Sequence, residues 1–131
     1  MKGIRWSRVM VGVIGSFLAG VLLLGGLITI LIAFSSAQTI QEAQSIPRYG
    51  FAASMITALA AAWGAFFALR TLTPDQASRH SLHGLLIGFG AGLLPFIFTP
   101  AQWGANLITL LMCLPAAVLG SRLAARSTPP R

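Results

Sequence analysis

Residues 84–121 read GLLIGFGAGLLPFIFTPAQWGANLITLLMCLPAAVLGS, 38 positions without a charge. At about 1.5 Å per residue, one helix of that length would reach nearly twice the roughly 30 Å of a bilayer's hydrocarbon core. The stretch is too long for one membrane-spanning helix and long enough for two. Thr99-Pro100-Ala101-Gln102 supplies turn chemistry inside it, so it divides into a span over 82–98 and another over 103–121.

Upstream, Val9 to Phe34 gives 26 residues interrupted only by Gly, Ser16 and Thr29. As a helix it is about 39 Å long, enough to cross with tilt. Tyr49 to Leu69 is another uncharged run, rich in Ala and carrying Trp63, Phe66 and Phe67. The expected fold is all-α: an integral membrane bundle of four transmembrane helices with short loops. It forms one domain over 1–126, with spans at about 9–34, 49–70, 82–98 and 103–121 and a flexible tail over 127–131. The alternative for the first span is a cleaved secretory signal, with Lys2, Arg5 and Arg8 as its basic start and Ser35-Ser36-Ala37 as its cleavage site. Such signals carry an apolar run of about 7–15 residues. This one is far longer, so an uncleaved span is preferred.

Of the 131 residues, 56% are apolar and 8% charged. A soluble domain carries about a quarter charged residues, so too few exist here to cover a surface in water. The spans consume nearly the whole chain and leave little for a catalytic domain. Nine Lys and Arg against two acids, Glu42 and Asp75, give a net charge of +7. In a soluble protein that balance would point to nucleic acid. Here the basic residues stand at the ends of uncharged runs, the distribution of orientation signals, and no nucleic-acid partner is expected. Lys2, Arg5, Arg8, Arg70, Arg79, Arg122, Arg126 and Arg131 fall on one side of the four-span layout and only Arg48 on the other. Positive residues near span ends are retained in the cytoplasm. Both termini and the 71–81 loop are therefore expected inside, with the 35–48 loop and the 99–102 turn outside. Tyr49 and Trp103 then mark the outer interface and Trp6 the inner. The bilayer is the first expected partner, with anionic lipid headgroups at the cytoplasmic basic ends.

Two loop segments carry helix-start signals. Thr39-Ile40-Gln41-Glu42 fits a capping box and predicts a short helical turn before Ile46-Pro47. Thr73-Pro74-Asp75-Gln76 fits another, with Pro74 at the first helical position and a helix that could run through His80 into the third span.

Reactive chemistry is sparse. Proton- and ion-coupled carriers usually place an ionisable residue within the bilayer, and none of the four spans holds one. Glu42 and Asp75 lie in opposite loops, which excludes paired-carboxylate catalysis by topology. No enzyme and no cofactor are expected. Cys113 is the only cysteine, so there is no intramolecular disulfide and no cysteine-based metal cluster. His80 and His83 stand at i, i+3 beside Arg79 and could turn two imidazoles onto one metal or one face of a haem. Two ligands without a carboxylate or cysteine are too few. They read instead as polar residues at the headgroup level of a span entrance, and no metal is expected.

The informative pattern is small residues at a four-residue step. Gly84, Gly88 and Gly92 make two overlapping GxxxG units on the third span, and Gly12, Ser16 and Gly20 repeat the step on the first. Ala60, Gly64 and Ala68 do so on the second, and Ala116, Gly120 and Ala124 on the fourth. Lipid supplies no hydrophobic drive for helices to associate, so close backbone approach over flat faces provides the contact. Gly84, Gly88, Gly92, Gly12, Ser16, Gly20 and Gly64 are thus the expected helix-packing residues, with the all-glycine triplet making the closest contact. Such a face can meet another helix of the same chain, a membrane-protein partner or a second copy. Asn106 and Thr109, i and i+3 on the outer half of the fourth span, could line a polar groove or simply bond across and along helices. Pro95 and Pro115 should kink the third and fourth spans.

Arg5-Trp6 before a Gly-punctuated first span, small residues around Gly64 and the run Leu82-His83-Gly84-Leu85-Leu86-Ile87-Gly88 resemble a group of small bacterial four-span membrane proteins to which no activity securely belongs. Where that group carries a Gly-Gly pair near the end of its second span, this chain has Trp63-Gly64-Ala65. The resemblance implies architecture only, and no site; the expected location is the bacterial inner membrane. Three function classes remain. They are an accessory, assembly or interaction subunit of a larger membrane complex; a small oligomeric channel or transporter for neutral or hydrophobic solutes; and a lipid-interacting, holin-like or immunity-type protein. The first suits a nearly loopless bundle with flat small-residue faces and no reactive groups.

Overall fold

The computed structural model describes residues 4–35, 38–46, 49–70 and 79–127. Among them the elements are α1 (Trp6–Phe34), α2 (Ile40–Ser45), α3 (Tyr49–Leu69), α4 (His80–Phe98) and α5 (Trp103–Ser127), with no strand. All but α2 are long and apolar enough to cross a membrane. The chain is an all-α membrane protein built on four such helices.

Helix limits depart modestly from the apolar runs. α1 starts at Trp6 and α4 at His80, ahead of Val9 and Leu82, and α5 continues past Ser121 to Ser127. Ser127, expected in the tail, is the last residue of that helix and bonds its hydroxyl to the Ala124 carbonyl at 2.9 Å. The extension is physically simple, since Arg, Leu and Ala are strong helix formers and Arg126 sits in the last turn, where its charge complements the helix dipole. Pro95 and Pro115 both lie inside unbroken helices.

α2 forms as its capping signal predicts. The Thr39 hydroxyl accepts the Glu42 N–H at 3.2 Å, and the Glu42 carboxylate reaches back to the Gln38 N–H at 2.6 Å. The second capping signal, at 73–76, lies outside the described residues, as do Lys2, Arg48, Arg131, Pro47, the 36–37 part of the candidate cleavage site and positions 128–131 of the tail.

α3 packs along both α1 and α5, and α5 packs along α4. The interior is made of small side chains, including Ala58, Ala61, Ala65, Ala68, Ala91, Ala117 and Ala124, with Leu69, Ile87 and Cys113 as larger fillers. Large apolar residues such as Leu22, Phe51, Trp63, Ile97 and Leu111 face outward. Lipid tails solvate Leu and Phe as well as a protein core does, so small residues that let backbones approach are kept for the helix contacts.

Contacts fix the relative directions. Arg8 meets the end of α3 through the Ala68 carbonyl at 3.5 Å, and the Arg5 N–H meets His83 near the start of α4 at 3.1 Å. Gly84 lies against Ser121 near the end of α5. The starts of α1 and α4 and the ends of α3 and α5 therefore share one end of the bundle. Arg5, Arg8, Arg70, Arg79, Arg122 and Arg126 all belong to that end.

Candidate functional site

The glycine face of α4 is covered by α5. A Cβ placed on Gly84 would come within 2.8 Å of the Ala117 carbonyl oxygen. On Gly88 it would lie 2.7 Å from the Cys113 carbonyl oxygen, and on Gly92 2.8 Å from the Leu110 Cα. Each distance is well inside van der Waals contact and involves backbone that cannot rotate away, so three successive turns of α4 lie directly on α5.

The small face of α1 meets two helices. Gly12 accommodates the Ile87 side chain of α4, whose Cδ1 would stand 2.5 Å from an added Cβ. A Cβ on Gly64 of α3 would run into the Ser16 hydroxyl and approach the Gly12 carbonyl oxygen at 2.6 Å. The Ser16 hydroxyl turns back to that same carbonyl at 2.7 Å, which removes a donor from the apolar face. Gly20 is looser, with the Ala60 Cβ at an ordinary 3.8 Å. The α4 triplet is not the tightest approach in the molecule. A Cβ on Gly120 would strike the Ala62 carbonyl of α3, and among the described glycines only there and at Gly64 does an added Cβ overlap a neighbouring atom so deeply. A single glycine facing a carbonyl outdoes a triplet facing mixed atoms, and a residue pattern does not show what lies opposite.

Asn106 and Thr109 are both buried but turn to different neighbours. Asn106 Nδ2 donates to the Thr99 carbonyl at 2.8 Å and to the Pro95 carbonyl at 3.3 Å, closing the turn between α4 and α5. The Thr109 hydroxyl lies 2.8 Å from the Ser54 hydroxyl of α3, while each also reaches a carbonyl four residues back in its own helix.

The two histidines stand in the first turn of α4 and are buried within the protein. His80 is 2% and His83 1% exposed, because α4 starts at His80 and the first turn of α1 lies over it. His83 Nδ1 is 2.8 Å from the Arg79 carbonyl and Nε2 accepts the Arg5 N–H at 3.1 Å. The carbonyl can only accept, which makes Nδ1 the protonated nitrogen and Nε2 the acceptor. Both ring nitrogens of His83 are committed to these two bonds. Among the described residues no three His, Cys, Asp or Glu side chains group together. This link spans 78 positions of sequence, and no local pattern announces it.

Two grooves open on the bundle's flanks. One, of about 420 Å³, runs between α1 and α4 with Phe17, Val21, Leu94 and Phe98 on its walls and Thr57 of α3 among its lining residues. The other, of about 710 Å³, lies over α3 between α1 and α5. Neither is lined by Asn106 or Thr109. No protein family matches the chain, and no curated protein or solved structure matches it either.

Proposed function

We propose that this small multi-pass membrane protein serves as an accessory, assembly or interaction subunit of a larger membrane complex, oriented with both termini in the cytoplasm. The location proposed with it is the bacterial inner membrane. The observation carrying the reading is the uneven use of α1. Its buried residues, Val9, Gly12, Ser16 and Gly20, all lie in the half nearer its start, and from Val21 to Phe34 none is buried. A 29-residue helix is about 43 Å long, so a large apolar flank including Gly25 and Gly26 stays free of the chain's own helices. A protein partner or a second copy would find its closest helix approach there, since the glycine face of α4 is occupied by α5.

The proposal assigns the chain no reaction of its own, no cofactor and no nucleic acid. Its polar side chains within the spans are spent on helix contacts, as with Ser54, His83, Asn106 and Thr109. An oligomeric channel would have to place its pore between copies, since Leu69, Ile87 and Cys113 fill the interior of the single bundle. Native mass measurement of protein extracted in mild detergent tests the reading. A heteromeric assembly is expected, and a lone monomer under conditions that preserve other complexes overturns it.

A further inference from the structure

The start of α1 is fastened to α4 through one imidazole. Arg5 is the N-cap of α1 and has no side-chain cap. Its N–H, one of the donors that a helix start leaves unmatched, goes to His83 Nε2 at 3.1 Å. His83 Nδ1 gives its proton to the Arg79 carbonyl at 2.8 Å, so the ring donates to one backbone group and accepts from another. Only the neutral imidazole does both. With a second proton both nitrogens are donors, and turning the ring over still sets one N–H against another. The described residues bring further charged or titratable groups to this end of the bundle: Arg5 and Arg8 of α1, Arg70 after α3, Arg79 and His80 beside His83, and Arg122 and Arg126 of α5. Lys2 and Asp75 lie outside the described residues. Both partners of the His83 ring are backbone groups, so the bond depends on the ring's own protons and on no neighbouring charge being available.

We propose that His83 is a pH-sensitive latch, whose neutral ring ties the start of α1 to α4 and whose protonation releases that tie. The latch is closed at higher pH and open at lower pH, because the closed state needs a bare Nε2 and the open state does not. Histidine is the side chain that ordinarily changes charge between about pH 5 and 8. Arginine stays charged throughout that range, and carboxylates ordinarily lose their proton below it. Among the described residues of this end only His80 shares that chemistry. The movement is confined to the first turn of α1. One turn further, Arg8 holds the Ala68 carbonyl of α3 at 3.5 Å, and Gly12 against Ile87 and Val13 against Gly90 keep the next turn on α4. The latch is independent of whether the chain has a protein partner.

Nuclear magnetic resonance of the full chain in nanodiscs, with isotope-labelled histidine and arginine, tests this between about pH 8 and pH 5. His80→Gln assigns the ring signals, and Arg5→Lys, which keeps the backbone N–H, assigns the Arg5 amide. At the upper end the His83 ring is expected to carry its proton on Nδ1 with Nε2 bare. As the pH falls Nε2 should gain a proton, and the Arg5 amide signal should shift along the same titration curve. His83→Gln keeps an acceptor and a donor but does not titrate, so its Arg5 amide signal should stay in place. The proposal is overturned by a His83 ring that takes up no proton in this range, or by an Arg5 amide that stays still while the ring titrates. It is overturned equally by an Arg5 shift that persists in His83→Gln, or by one that disappears in His80→Gln or Asp75→Asn, since the switch would then belong to another residue. If His83→Gln does not fold, the wild-type curves decide: one shared midpoint for ring and amide supports the latch, and two separate midpoints overturn it.

Discussion

Gly88 faces a wall that cannot retreat: the Cys113 carbonyl oxygen and the Leu114 Cα would lie 2.7 and 3.1 Å from any Cβ placed there. Gly15, on the same kind of helix, has nothing within 4 Å. Overpacking a tight contact costs about 1–3 kcal/mol, so Gly88→Ile should lower the melting temperature in detergent by several degrees, while Gly15→Ile leaves it nearly unchanged. Equal melting of the two variants would mean that α4 and α5 are not in backbone contact. Leu85, half exposed, is a second lipid-facing control, whereas Leu86 leans on the core and is not. His83 makes a separate residue-scale case. His83→Phe keeps an aromatic ring but strands the Arg5 N–H, and an unmade buried bond costs about 1–3 kcal/mol. Amide exchange over residues 5–9 should accelerate in that variant, and unchanged exchange would remove the proposed tie between α1 and α4.

The α4–α5 hairpin is held at both scales that a membrane helix pair can use, glycine contact along its length and polar closure at its turn. Asn106 contributes the closure through the Thr99 and Pro95 carbonyls, and the Gln102 N–H adds a bond to the Thr99 carbonyl at 3.1 Å. Asn106→Leu retains the volume and removes both donors. It should cost about 1–3 kcal/mol and raise hydrogen exchange across 99–106, with the middle of α3 unaffected. If exchange at the turn is the same in both proteins, the turn is held by its backbone alone. α1 is an element of another kind. Arg8, Val9, Gly12, Ser16 and Gly20 fasten its first half, and its second half adds no buried residue.

Across the whole molecule, small residues are inside, large apolar residues are outside, and the described arginines are gathered at one end. That charge gathering sets the expected orientation, because Lys and Arg near span ends resist translocation. Reporter fusions after Arg131 and near Gln44 should therefore report opposite compartments, with the Arg131 fusion cytoplasmic. The same compartment for both would remove the four-span topology, and reversed compartments would leave the spans but invert the orientation.

The runs ending at Phe34, Leu69 and Phe98 were legible as helices because a bilayer imposes a one-dimensional demand, about twenty apolar residues with every backbone group bonded internally. The turn at 99–102, the α2 cap at Thr39 and the four-residue step of Gly84, Gly88 and Gly92 were local patterns of the same sort. The sequence by itself therefore determined that the chain has four spans and that each carries one flat face. Only the tertiary structure decided that the α4 face meets α5, that Gly120 meets Ala62, that His83 receives the Arg5 N–H, and that an apolar groove lies over α3. The reason is that in lipid the outward and inward surfaces of a helix are both apolar. Hydropathy then carries no inside-outside signal, and the choice of neighbour is left to shape complementarity and to hydrogen bonds between residues far apart in the chain.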